Sequence, residues 1–104
     1  MTSPRSLPKP KKPKLLLVRR VAGDSMLPTL RAGQLVIAVR PYRLRAGMIV
    51  IVYHQGLEKI KRITHIDSGK LFVEGDNAGS STDSRSFGWL SVDVVIGKVI
   101  WPQV

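Results

Sequence analysis

A chain of 104 residues with an apolar share of 43% is long enough for one folded domain and too short for two. It contains no cysteine, which excludes disulfides, thiolate metal sites and cysteine nucleophiles. The formal charge of +10 invites a nucleic-acid reading, but Arg5, Lys9, Lys11, Lys12 and Lys14 supply half of it before residue 15, and no nucleic-acid-binding motif accompanies them.

In chain order, residues 1–14 are rich in proline and lysine and nearly free of large apolar side chains. They are expected to form a disordered tail of polyproline character, preceding a domain over residues 15–104. The partners expected of this tail are anionic surfaces, held weakly and in a salt-sensitive way, and no specific nucleic acid. β-type runs then recur over residues 15–21, 34–39, 48–53, 58–66, 70–74 and 92–100, the last interrupted by Gly97. His54-Gln55-Gly56 and Asp67-Ser68-Gly69 read as hairpin turns, and Gly75-Asp76-Asn77 ends the fifth run. With no convincing helical period, this spacing predicts an all-β barrel or sandwich whose core is built from valine, isoleucine and leucine. Trp89 and Trp101 are expected at the core or its rim. The polar stretch 76–87 is the longest loop after the tail, and long loops in compact domains are commonly functional.

No apolar run approaches the ~20 residues a helix needs to cross a bilayer, and residues 15–18 are too short for the apolar region of a signal peptide. The chain is expected to be soluble and cytoplasmic. The lack of cysteine fits a reducing compartment. His54 and His65 cannot build a zinc site without carboxylates, and no HExxH-like spacing occurs, so no metal or cofactor is expected.

Three segments stand out. Ser25 lies in Gly23-Asp24-Ser25-Met26-Leu27-Pro28-Thr29-Leu30, where a proline-containing turn after a strand can hold a hydroxyl rigidly, with main-chain N–H groups close by for an oxyanion. It is not the G-x-S-x-G elbow, because position 27 is leucine. By itself the segment reads first as a capped turn. Lys61 lies mid-strand in Lys59-Ile60-Lys61-Arg62-Ile63, where alternation puts both lysines on one face and Arg62 on the other. A charged edge strand is the plain alternative. Ser81-Thr82-Asp83-Ser84-Arg85, following Gly75-Asp76-Asn77, would on its own be a hydrogen-bonded loop.

Taken together and in this order, the three segments resemble the boxes of the bacterial signal peptidase I family and its relatives, which are Ser/Lys peptidases. The resemblance spans about residues 21–97. It implies a minimal catalytic core of the kind shared with LexA-type peptidases, with Ser25 as nucleophile and Lys61 as general base. It further implies that Ser81 orients the lysine amine and that Asp83 and Arg85 pair to shape the loop. Met26 and Pro28 would set the turn. Some bacterial members carry a serine two residues before the nucleophile, where this chain has Gly23, so the oxyanion hole would rest on main-chain N–H groups near Gly23 and Ser25. The short segment 64–72 and the Gly97-Lys98-Val99-Ile100-Trp101-Pro102 end look most like the nickel-type superoxide dismutase maturation proteases. The partner implied is a precursor whose N-terminal extension is bound extended and removed.

A lysine serves as base only if its pKa falls well below the ordinary value near 10.4, and desolvation in an apolar site can do this. Lys59, on the same face, is expected at the surface. His54 and His65 are expected at strand ends or in the core, although eukaryotic relatives use histidine where Lys61 stands. Three other functions compete with dismutase maturation. They are a signal peptidase acting on exported preproteins, with its anchor on another chain; a LexA-type core; and a non-catalytic basic β-module that binds nucleic acid or anionic surfaces.

Overall fold

The computed structural model describes residues 15–40 and 42–104; the expected tail lies outside them. Seven strands form one antiparallel sheet: β1 Leu15–Arg20, β2 Leu35–Arg40, β3 Ile49–His54, β4 Leu57–Asp67, β5 Lys70–Glu74, β6 Leu90–Ser91 and β7 Val95–Trp101. Their order across the sheet is β1-β2-β7-β3-β4-β5-β6. The all-β reading therefore holds, with six strands close to their expected bounds and a short seventh added.

Alternation explains how one sheet serves two cores. Ile49 and Ile51 of β3 face one way and pair with Arg62 and Ile60 of β4; Val50 and Val52 face the other way and pair with Lys61 and Lys59. The first set joins Val21, Met26, Leu30, Val36 and Ala38 in one buried cluster. The second joins Ile63, Leu71, Val73, Leu90 and Val95 in another. Buried on both faces, β3 reads as the unbroken run Ile-Val-Ile-Val.

Both expected hairpin turns form. Gln55 and Gly56 have φ of 53° and 78°, and Ser68 and Gly69 have 50° and 79°, the positive pairs that match the twist of a two-residue hairpin. Three features depart from the sequence reading. Gly97 does not break β7; a Cβ there would crowd the Ala38 Cβ at 3.1 Å, so the glycine lets two strands pack closely. Residues 84–87 form a helical turn, α1 Ser84–Phe87, capped by the Asp83 side chain on the amide of Arg85. The third concerns the tryptophans. Trp89 and Trp101 are about half exposed rather than in the core, Trp89 lying edge-on to Phe72 at 5.4 Å.

The sheet also curls. Arg19 of β1 reaches Glu58 of β4 with two hydrogen bonds, of 2.6 and 3.1 Å. The two strands approach without pairing, and both edges that face each other are open. β1 is the first strand of the sheet. β4 meets β5 only from Arg62 onward, so residues 57–61 lack a neighbour on that side.

Candidate active site

A cleft of about 320 Å³ lies between these open edges, bordered by residues 19–26 on one wall and 58–61 on the other. Ser25 and Lys61 both line it. The turn that carries Ser25 is closed by two backbone bonds, Leu27 N–H to the Asp24 carbonyl and Leu30 N–H to that of Met26. Met26 and Leu30, 1% and 0% exposed, anchor it in the first core. The Ser25 hydroxyl has no hydrogen-bond partner among the described residues, and the amides of Gly23 and Ser25 meet no acceptor there. Gly23 has φ of 73°, a left-handed conformation that disfavours a side chain although the space beside it is open.

Lys61 is 5% exposed. Its Nζ donates to Ser81 Oγ at 2.9 Å, and Ser81 Oγ donates in turn to Asp83 Oδ2 at 2.5 Å. Because the Ser81 proton is committed to the carboxylate, Ser81 can only accept from the amine. The lone pair of a neutral Lys61 is therefore left free for another proton. Lys61 and Ser25 make no direct hydrogen bond; they share the cleft, and the lysine is fixed from the Ser81 side. Such contacts are often loose in the absence of substrate.

Burial pushes the Lys61 amine below its usual range; the nearby Asp83 carboxylate opposes this, while the charges of Lys59 and Arg85 add to it. For Asp83, 0% exposed, burial alone would raise the carboxyl. The bonds from Arg85, Ser81 and the Gly75 and Arg85 amides outweigh it and hold the group well below the carboxylate range. Arg85 donates its Nε to Oδ1 at 2.9 Å and an Nη2 hydrogen to Oδ2 at 2.5 Å, the expected pair.

The sequence left Arg62 and Gly75-Asp76-Asn77 without a task; the structure gives each one. Arg62, on the opposite face from Lys61, grips Asp76 with two bonds of 2.9 and 2.8 Å, and the Thr29 hydroxyl donates to the same carboxylate. Asn77 donates its amide to the Ser25 carbonyl at 2.8 Å and its side chain to that of Asp24. The strand bearing Lys61 and the turn bearing Ser25 are thus tied together by one loop. The alternation that sends Arg62 away from Lys61 was the only signal that could have found this clamp.

Gly75 makes the approach possible. A Cβ there would overlap the Ser81 side chain and come within 2.5 Å of the Ser25 carbonyl oxygen. Gly75→Ala should therefore displace the loop and cost about 2 kcal/mol or more. Thermal unfolding checks the stability, and the cleavage rate checks the site.

Lys59 is half-buried rather than at the free surface: its Nζ lies 4.8 Å from the Phe87 ring centroid and 3.3 Å from His54 Nδ1. His54 stacks on Phe87 at the end of β3, and His65 is exposed near Trp89; neither lines the cleft.

The sequence of this chain is similar to those of several known proteins. Residues 50–104 match the family described as signal peptidase, peptidase S26. Signal peptidase I of Bacillus caldolyticus is 43% identical over 67 residues, covering 62% of this chain and 37% of that protein. Mitochondrial inner membrane protease subunit 1 of Xenopus tropicalis is 39% identical over 46 residues, 41% of this chain and 28% of that one. Subunit 2 from Danio rerio is 31% identical over 121 aligned positions, covering 86% of this chain and 66% of that protein. The chain thus spans less than two thirds of these relatives. It belongs to the peptidase S26 signal peptidase family, a family of serine peptidases. The matched segment includes Lys61, Ser81, Asp83 and Arg85; Ser25 lies before it.

Proposed function

We propose that this chain is a serine endopeptidase that cuts an extended segment of a precursor protein, with Ser25 as nucleophile and Lys61 as general base. The observation that carries this is the buried Lys61 amine, lowered in pKa and held by Ser81, in the same cleft as an unengaged serine hydroxyl. The substrate would enter as an added strand between the open edges of β1 and β4. Neutral Lys61 takes the Ser25 proton as the hydroxyl attacks, the acyl oxygen develops charge against the free amides of Ser25 and Gly23, and Lys61 returns the proton to the leaving amine.

The relatives named above are a signal peptidase and mitochondrial membrane protease subunits, so exported preproteins are the leading substrate class. None of them bears on nickel dismutase maturation, which the sequence alone put first. That reading keeps only the resemblance in residues 64–72 and 97–102. Among the described residues no helix is long and apolar enough to cross a membrane.

The decisive experiment is incubation with an exported preprotein and with a nickel dismutase precursor, with the cut sites mapped. Ser25→Ala should abolish cleavage of whichever is cut, a loss of about 10³-fold or more, while thermal unfolding stays that of the parent. Undiminished cleavage by Ser25→Ala would end the proposal.

A further inference from the structure

The cleft carries more charge than the reaction uses, and only part of it is cancelled locally. Arg19 and Glu58 neutralise each other. Arg20 is exposed and donates to the Gly33 carbonyl. Lys59 also lacks a carboxylate: among the described residues its ammonium meets only a histidine ring nitrogen and an aromatic face. Neither partner is a carboxylate, so they position the cation without neutralising it. At least one of its hydrogens is left without a partner among the described residues, and Lys59 is one of the residues lining the cleft.

Its position sets what it would meet. Lys59 and Lys61 share a face of β4, and two residues along a strand span about 7 Å. A peptide lying along the open edge of residues 57–61 advances at the same rate. When the bond to be cut sits at Lys61, a side chain two positions away along the peptide comes beside Lys59.

We propose that Lys59 is a specificity-determining residue, selecting substrates with an aspartate or glutamate two residues from the cleaved bond. The inference rests on the peptidase reading above and adds a substrate preference to it. Holding the ammonium on the Phe87 ring beside His54 keeps it from reaching the Lys61 site, so it acts on the peptide rather than on the proton transfer. Asp24, exposed on the opposite wall beside Ser25, also has no ion pair among the described residues. A lysine-bearing peptide would be drawn there instead.

The test uses synthetic peptides spanning a mapped cut site, with glutamate, glutamine or lysine placed in turn at each position within three residues of the bond. The full chain and its Lys59→Arg, Lys59→Gln and Lys59→Glu variants are compared by kcat/KM. For the parent and Lys59→Arg, glutamate should exceed glutamine about fivefold at one position, two residues from the bond, as expected of a partly exposed ion pair. The preference should vanish in Lys59→Gln and pass to lysine in Lys59→Glu, which a purely structural role would not produce. Cleavage with one ranking in all four proteins would overturn the specificity claim alone. No cleavage of any peptide by the parent would overturn the peptidase reading, and this claim with it.

Discussion

Replacing Lys61 with methionine should abolish cleavage and yet leave the domain at least as stable as the parent at neutral pH. The activity loss follows from removing the base, a factor of about 10³ or more. The stability result follows from linkage. The folded amine titrates below the ordinary lysine value because it is buried. Between its folded pKa and about 10.4 the unfolded chain therefore binds more protons, and the stability of the parent rises with pH across that window. Below the folded pKa the whole cost of charging a buried amine is present. Methionine keeps the volume and removes that cost, and it strands no donor, because the Ser81 proton still goes to Asp83. The advantage of the variant over the parent should therefore shrink as pH rises toward 10, which thermal melts across a pH series would measure. In the parent, kcat/KM should climb with pH on a limb whose midpoint lies below the ordinary lysine range. A limb at the normal lysine value would mean that the site does not tune its base.

The second large effect is at Asp83. This carboxylate, 0% exposed, accepts from Ser81, the Gly75 and Arg85 amides and the Arg85 guanidinium. Asp83→Ala leaves the Gly75 N–H and part of Arg85 without an acceptor, and stability should fall by about 3 kcal/mol. The folded pKa of Asp83 is depressed, so its contribution is complete above the unfolded value near 3.9 and is lost as pH falls below it. Asp83→Asn should remove that part of the acid-unfolding slope. Because Asp83 also holds the Lys61 pKa up against desolvation, the asparagine variant should shift the kcat/KM limb to lower pH. Any remaining activity would thus report on the coupling between the two residues, separately from the damage to the fold.

How far the sequence alone reached can be read from these residues. The β3 run and the turn pairs at 55–56 and 68–69 announced themselves, because unbroken apolar strands and positive-φ glycines leave local marks. The Asp83–Arg85 pair and the Lys61–Ser81 bond came from motif resemblance; no local pattern encodes a bond between residues twenty apart. Residues 84–87 read as polar loop because one helical turn has no periodicity to detect. The tryptophans, expected at the core or its rim, stand about half exposed, which composition alone cannot separate from full burial because large aromatics are seldom fully buried. The Arg62–Asp76–Thr29 clamp was hidden most deeply, since it joins three segments that meet only when the sheet curls.

One consequence follows from where β5 stops. Its register with β4 ends at Glu74 opposite Arg62, and the next three residues, Gly75-Asp76-Asn77, carry the chain across to the serine turn instead of onward. Had the strand run four or five residues further, the protein would have filled its own berth with its own backbone and sealed the hydroxyl beneath it. The vacancy is therefore a product of the same short bend that secures the nucleophile. Moving that bend along β4 would lengthen or shorten the stretch of foreign peptide the sheet can accept.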